Sequence, residues 1–281
     1  MPELPEVETI ARGLHKRVAG DVIRSVWLGE KPEIFKSRPQ EIAAVLEQSR
    51  IVLVRRVGKH IVIDLERLSR KQRRNPEEAQ WIIHLGMTGR MQVTAPHAEV
   101  AKHTHVIVRL ASRRELRFVD PRRFGRLAVV RPSFSNPNGF MAPGDEPLQA
   151  QADRFIELFR GRKTPIKSAL LNQKLLSGVG NIYADEALFR AGIRPRRRAA
   201  SLTRDQLRRL HRAVQEVLEE AIEAGGSSIS DYVDAEGEEG FFQLQHRVYG
   251  REGEPCLVCR TLVKRVVIGG RSSHYCPNCQ K

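Results

Sequence analysis

Ile51-Val52-Leu53-Val54-Arg55-Arg56-Val57-Gly58-Lys59-His60-Ile61-Val62-Ile63-Asp64-Leu65 is the stretch on which the fold turns. Val, Ile and Leu dominate it, and their branched side chains suit a pleated, half-buried surface. Runs of the same character lie around it, at 22–28, 81–94, 105–110 and 116–130. Several alternate with period two and are separated by polar turns, which predicts a β-sandwich or barrel. Upstream, Val7, Ile10, Ala11 and Leu14 recur at helical spacing after Pro5, so a short helix precedes the strands. The charged stretch 67–78 reads as a solvated loop. Downstream, a loop rich in Pro, Gly and Asn spans 132–147 and the periodicity then becomes helical. Helices are expected at 152–160, 165–176, 182–191 and 204–224, the last opened by a Thr203/Gln206 capping box. The polar, acidic segment 227–240 reads as a mobile loop.

Composition narrows the function. Lys and Arg number 48 against 33 Asp and Glu, a formal net charge of +15 over 281 residues. Such a balance favours a polyanion, nucleic acid first and an anionic membrane surface second, because each phosphate neutralised releases condensed counterions. No apolar run approaches the roughly 18 residues of a membrane span, and no secretory signal pattern is present, so the expected location is cytoplasmic. All four cysteines fall in one C-terminal segment, Cys256-x2-Cys259 and Cys276-x2-Cys279. Two such pairs converge as four thiolates on a tetrahedral zinc, with 263–268 and 272–275 forming a β-hairpin between them. With four thiolates and no open position, one structural Zn2+ is expected. The hairpin carries Arg271, which reads equally as a phosphate ligand or a solvated turn arginine.

Pro2 becomes a secondary amine if Met1 is removed. An α-amino group titrates at about 7.7 to 8.0, so a useful fraction is neutral at physiological pH. Attack by such an amine on a sugar anomeric carbon displaces the base, and opening of the sugar ring then gives an iminium that acidifies the neighbouring carbon. Glu3 is the adjacent carboxyl able to act as acid. Taken alone, Pro2 is ordinarily incidental, and Glu3 or Glu6 is ordinarily a helix-start carboxylate.

Further motifs accompany these residues: Pro2-Glu3-Leu4-Pro5-Glu6-Val7-Glu8-Thr9, Gly58-Lys59, His84-Leu85-Gly86-Met87-Thr88-Gly89, Lys102-His103-Thr104-His105, Asp120-Pro121-Arg122-Arg123-Phe124-Gly125 and Gly178-Val179-Gly180-Asn181-Ile182-Tyr183. Across nearly its whole length the chain resembles the formamidopyrimidine-DNA glycosylase family of bacterial base-excision repair. The resemblance implies an α+β multidomain protein. It has an N-terminal β-sandwich with flanking helices over 1–135, a helix-two-turns-helix domain over 136–243 with a lesion loop at 227–240, and a zinc-finger β-hairpin over 244–281. DNA is expected in a basic cleft.

The resemblance also implies roles. Pro2 is the expected nucleophile, Glu3 the acid and base, Lys59 an aid to the first elimination, and Arg271 a phosphate ligand aiding the second. Met87, Arg122 and Phe124 resemble a wedge that fills the stack after a damaged base is flipped out; by composition alone Met87 and Phe124 would be core residues. His103, Arg162 and Lys167 match phosphate-holding positions, although Arg162 also reads as plain surface charge and Lys59 as a surface strand lysine. Asn181 opens a helix whose free amides suit a phosphate, or serves as its N-cap. Thr104 stands where an acidic residue is common, and 67–78 lengthens a strand connection. The implied activity is a bifunctional glycosylase and abasic-site lyase for 8-oxoguanine opposite cytosine and formamidopyrimidines. It would act as a monomer on double-stranded DNA and associate with the nucleoid. The alternatives are an endonuclease VIII-like enzyme for oxidised pyrimidines and a non-catalytic binder of damaged DNA.

Overall fold

The computed structural model describes residues 1–67, 77–133, 136–227 and 240–281. Most of the charged connection at 67–78 and of the expected lesion loop at 227–240 lies outside the described residues. Two compact units emerge. The first holds Met1–Met141 with Ser227 and Gly240, and the second Ala142–Gly226 with Phe241–Lys281.

In the first unit α1 (Leu4–Val18) and β1 (Ile23–Leu28) are followed by α2 (Pro39–Leu46), β2 (Arg50–Val57) and β3 (His60–Arg67). Then come β4 (Glu77–His84), β5 (Arg90–Thr94), β6 (Thr104–Leu110), β7 (Glu115–Val119) and β8 (Arg126–Val130). Among the described residues these strands make two antiparallel four-stranded sheets, ordered β2-β3-β4-β8 and β1-β6-β7-β5. Ile51, Ile61, Ile63, Trp81 and Ile83 of one sheet share a core with Val106, Val108, Leu116 and Phe118 of the other. This is the expected sandwich.

Three of the apolar runs prove to be two strands each. The run 51–65 folds back at Gly58-Lys59, where Gly58 supplies a φ of +59° and Val57 pairs with His60. The runs 81–94 and 116–130 likewise break at the turns before β5 and β8. One helix was not anticipated. Pro39 sits in the first turn of α2, and Ile42, Val45 and Leu46 form its buried face at i, i+3 and i+4 spacing.

The sandwich also runs past the boundary expected at 135. The Gln80 side chain donates to Asp64 Oδ1 at 2.8 Å and accepts from the Phe140 N–H at 2.7 Å, while the Phe140 ring packs 4.8 Å from that of His60. Those contacts bind 136–141 to the first unit.

The second unit contains α3 (Ala152–Phe159), α4 (Ile166–Leu170), α5 (Asn181–Arg190), α6 (Arg204–Glu223), β9 (Lys264–Ile268) and β10 (Arg271–Tyr275). The Thr203/Gln206 capping box forms as read, and Leu207, Leu210, Val214, Val217, Leu218 and Ala221 make the buried stripe of α6. α4 stops well short of 176. The Asn172 side chain accepts from the Lys174 N–H at 3.0 Å, a local bond that competes with the helix. The zinc-finger segment does not stand apart as a third body. Glu186 of α5, its carboxyl pushed up by burial, accepts from the N–H groups of Arg247, Val248 and Tyr249, and Phe189 packs against a cluster holding Cys256 and Cys276.

Replacing Gln80 by Leu removes the bonds to Asp64 and Phe140 and leaves the half-buried Phe140 N–H unpaired. Urea unfolding should show a loss of about 2 kcal/mol with an unchanged m-value.

Candidate active site

α1 is fixed against β2 by two contacts. The Val54 N–H donates to His15 Nδ1 at 3.2 Å, and Arg56 Nε donates to Glu8 at 2.8 Å from a side chain only 6% exposed. Moving from His15 back to Glu8 thus runs from Val54 forward to Arg56, so the start of α1 lies toward the Gly58-Lys59 turn. There Glu3 is buried at the N-cap. Its N–H donates to Glu6 Oε2 at 2.8 Å and its carboxylate accepts from the Glu6 N–H, a reciprocal capping box. Glu6 Oε1 accepts in turn from the Ser227 N–H at 2.8 Å. Pro2 is half-buried beside this cap, and Met1 is exposed. Lys59 is 8% exposed, which is not how a plain surface lysine sits.

Strand register gathers the remaining motifs at the same end. His60 pairs with His84, and His84 with Arg126. The turns after His84 and before Arg126 therefore lie in one row with Lys59. His84 is held down to about 4 by burial, aided by the nearby charges of His60, Lys59 and Arg126. Its Nδ1 accepts from the Gly86 N–H at 3.1 Å, which leaves the ring proton on Nε2.

One carboxylate joins these turns. Asp120, fully buried, accepts from the Thr88 hydroxyl at 2.7 Å, the Gly125 N–H at 2.7 Å and the Arg122 N–H at 3.2 Å. Its own N–H donates to the His103 carbonyl at 3.0 Å, and its carbonyl lies 3.0 Å from His105 Nε2. Gly86, at φ +67°, presses so closely that a Cβ there would meet the Phe124 carbonyl carbon at 2.5 Å. The outcome is a projecting group. Met87 is 42% exposed and Phe124 47%, so neither is core, and the Arg122 guanidinium lies 5.0 Å from the Phe124 ring centroid. His103 is exposed at φ +69°. Thr104 starts β6 and donates to the Ala101 carbonyl at 2.6 Å, a purely local bond. Asp120 carries no chemistry that a sequence motif advertises, so only its burial and partners identify it.

In the second unit, Asn181 is the first residue of α5, with Gly180 rather than Asn181 at the N-cap position. Among the described residues the Asn181 Oδ1 has no hydrogen-bond partner. The loop before it is stapled by Gln173, which donates to the Leu171 and Val179 carbonyls and accepts from the Gly178 N–H at 2.9 Å. Sequence reading missed Gln173 because it lies outside the Gly-rich motif. Arg162 is exposed and donates Nε to the Leu158 carbonyl. Lys167 requires a correction. It is fully buried, with Nζ 2.6 Å from Asp185 Oδ1, so its charge is committed inside the unit and does not face a phosphate.

The four cysteines fit zinc. Their ligand atoms all lie within 4.8 Å of one another, with Cys256–Cys279 and Cys259–Cys276 sulfur separations of 3.9 and 3.4 Å. Tetrahedral coordination with Zn–S near 2.3 Å sets neighbouring sulfurs about 3.8 Å apart. The Val258 N–H and Cys279 N–H also point at sulfur, at 3.4 Å each. Beyond the cysteines, Gly269 and Gly270, at φ +56° and +75°, turn the hairpin and leave Arg271 exposed at the head of β10.

Two measurements test this geometry. The unfolded chain takes up the His84 proton near 6.5 and the folded chain only near 4. Stability from this residue is therefore lost as pH falls between those values. NMR should show the His84 ring resonances unchanged from pH 8 to 5. Chelation of zinc should melt the β9–β10 hairpin while the tryptophan emission of buried Trp81 in the first unit stays native, and added Zn2+ should restore the hairpin.

Three family models match the chain. They are the formamidopyrimidine-DNA glycosylase N-terminal domain over 1–127, its H2TH domain over 143–233, and the zinc finger found in FPG and IleRS over 253–281. A formamidopyrimidine-DNA glycosylase of Solibacter usitatus is 45% identical over 287 residues, covering 100% of both chains. One from Desulfitobacterium hafniense is 42% identical, again over 100% of both. Among solved structures, the MutM (Fpg) protein of Thermus thermophilus is similar at 42% identity and a TM-score of 0.82, covering 99% of this chain and 98% of that one. A Lactococcus lactis Fpg mutant in complex with Fapy-dG-containing DNA gives 32% identity, full coverage of both chains and a TM-score of 0.88. Among the described residues, no helix is long and apolar enough to cross a membrane. The sandwich, the helical segment and the zinc finger thus match in chain order, and the chain belongs to the formamidopyrimidine-DNA glycosylase family.

Proposed function

We propose that the protein excises oxidised purines from duplex DNA, chiefly 8-oxoguanine opposite cytosine and formamidopyrimidines, and then cuts the strand at the resulting abasic sugar. The observation that carries this reading is the convergence of the α1 start, the Lys59 turn and the projecting Met87, Arg122 and Phe124 at one end of the sandwich. A reactive amine and a stack-filling wedge belong together in an enzyme that works on an extruded nucleotide.

After Met1 is removed, the Pro2 amine attacks C1′ and the glycosidic C–N bond breaks, the base leaving with a proton. Glu3, held at the cap by Glu6, supplies protons to the opened sugar. The iminium acidifies C2′; loss of a C2′ proton, aided by Lys59, expels the 3′ phosphate. A second elimination expels the 5′ phosphate, with Arg271 binding it, and water then hydrolyses the iminium to restore the amine. His103, Arg162 and the Asn181 amide hold flanking phosphates. Met87 and Phe124 occupy the vacated stack while Arg122 hydrogen-bonds the orphaned base. Zinc, on Cys256, Cys259, Cys276 and Cys279, fixes the fold of the hairpin. The protein works as a single chain in the cytoplasm, held to the nucleoid by DNA.

The relatives found in complex with abasic-site and Fapy-dG DNA support this substrate class. Borohydride reduction with duplex carrying 8-oxoguanine opposite cytosine should trap native protein covalently, and Pro2→Gly and a form retaining Met1 should lose the adduct. Absence of an adduct with native protein whose Met1 is shown by mass spectrometry to be gone would refute the enzymatic reading in favour of a DNA binder. Stronger trapping on thymine glycol would favour the endonuclease VIII-like alternative.

A further inference from the structure

Two fully buried charges of the second unit remain without a task in the chemistry above. Asp185 stands one turn after Asn181 on α5, and Lys167 lies on α4. Their groups meet at 2.6 Å, and neither is exposed at all. Replacing such a pair by apolar side chains is often neutral or stabilising, so stability alone is a weak reason for it.

Both members of the pair also bond to β10. Lys167 Nζ donates to the Ser272 carbonyl at 2.7 Å. Asp185 Oδ2 accepts from the His274 N–H at 2.8 Å and lies 3.3 Å from His274 Nδ1. The pair therefore grips alternate residues of the strand immediately after Arg271. The Tyr249 ring also lies 5.2 Å from that of His274. β9 is largely exposed, and a two-stranded ribbon is marginal by itself. The cysteines secure the far end of β10 through Cys276, whereas the near end rests on this grip and on the approach of the Gly269 turn to α4, where a Cβ would come within 3.1 Å of Ser168 Oγ.

We propose that Lys167 and Asp185 are positioning residues for Arg271, tying its strand to the helix that carries Asn181. A guanidinium that must meet one phosphate geometry needs a fixed backbone, and a displacement of about 1 Å can cost on the order of a hundredfold in rate. The inference rests on the assignment of Arg271 to phosphate binding and the second elimination.

The test uses full-length protein with a duplex carrying a preformed abasic site, and compares Arg271→Ala, the double variant Lys167→Met/Asp185→Asn, and Asp185→Glu. The double variant leaves no orphaned charge, and Asp185→Glu keeps both charges but lengthens the grip by one methylene. Zinc content, borohydride trapping and the ratio of doubly to singly eliminated product are read for each. The expected result is full zinc and near-native trapping in both grip variants, with the product ratio falling roughly tenfold or more toward the singly eliminated strand, as in Arg271→Ala. A native ratio in zinc-replete grip variants, with Arg271→Ala still impaired, overturns the proposal and leaves the role of Arg271 standing. A native ratio in Arg271→Ala removes that role and the proposal with it. Loss of zinc or of folding in both grip variants shows that the pair serves the fold alone, which also overturns the proposal.

Discussion

The Asp120 carboxylate is cut off from water, and a buried charge is tolerable only when its lone pairs are filled. Here they are filled by groups from two different turns, Thr88 on one side and Arg122 and Gly125 on the other. The two loops cannot drift apart without stranding that charge. What would otherwise be separate connections at the end of a sheet become one rigid projection. Its apolar members, Met87 and Phe124, stay in solvent because the polar interior beneath them holds their backbones.

The same logic recurs wherever a functional group is held. Glu6 fills both its oxygens with N–H groups, one at the α1 cap and one at Ser227. Gln173 uses both ends of its amide on the loop before α5, and Gln80 both ends of its own on the sandwich. Each of these three side chains holds backbone in place through both ends of its polar group.

Such contacts limit what was legible in the sequence. Periodicity located the strands because burial on one face is a property of consecutive residues, and the paired cysteines announced their site because metal ligation fixes their spacing. The points at which apolar runs divide were not visible in periodicity, since Gly58-Lys59 interrupts 51–65 too briefly to break its character. α2 was passed over because its buried face rests on only Ile42, Val45 and Leu46. Lys167 differs for another reason: the resemblance puts it among phosphate-holding positions, and the partner that neutralises it, Asp185, is seen only across the fold. Likewise the limit of the first unit depends on Gln80 reaching Phe140, a contact between residues 60 apart in sequence.

Ser227 returns to the first unit after the chain has built α3 to α6, and its bond to Glu6 spans 221 residues. Closing an open loop of that length costs about 5 kcal/mol in chain entropy, while a hydrogen bond to a carboxylate returns roughly 1.5 to 3 kcal/mol. The bond is therefore too weak to draw its own ends together. It becomes favourable once the intervening helices have folded and taken up most of that slack. Folding thus acquires an order: Glu6, which caps α1, receives the Ser227 N–H only after the intervening helices are complete.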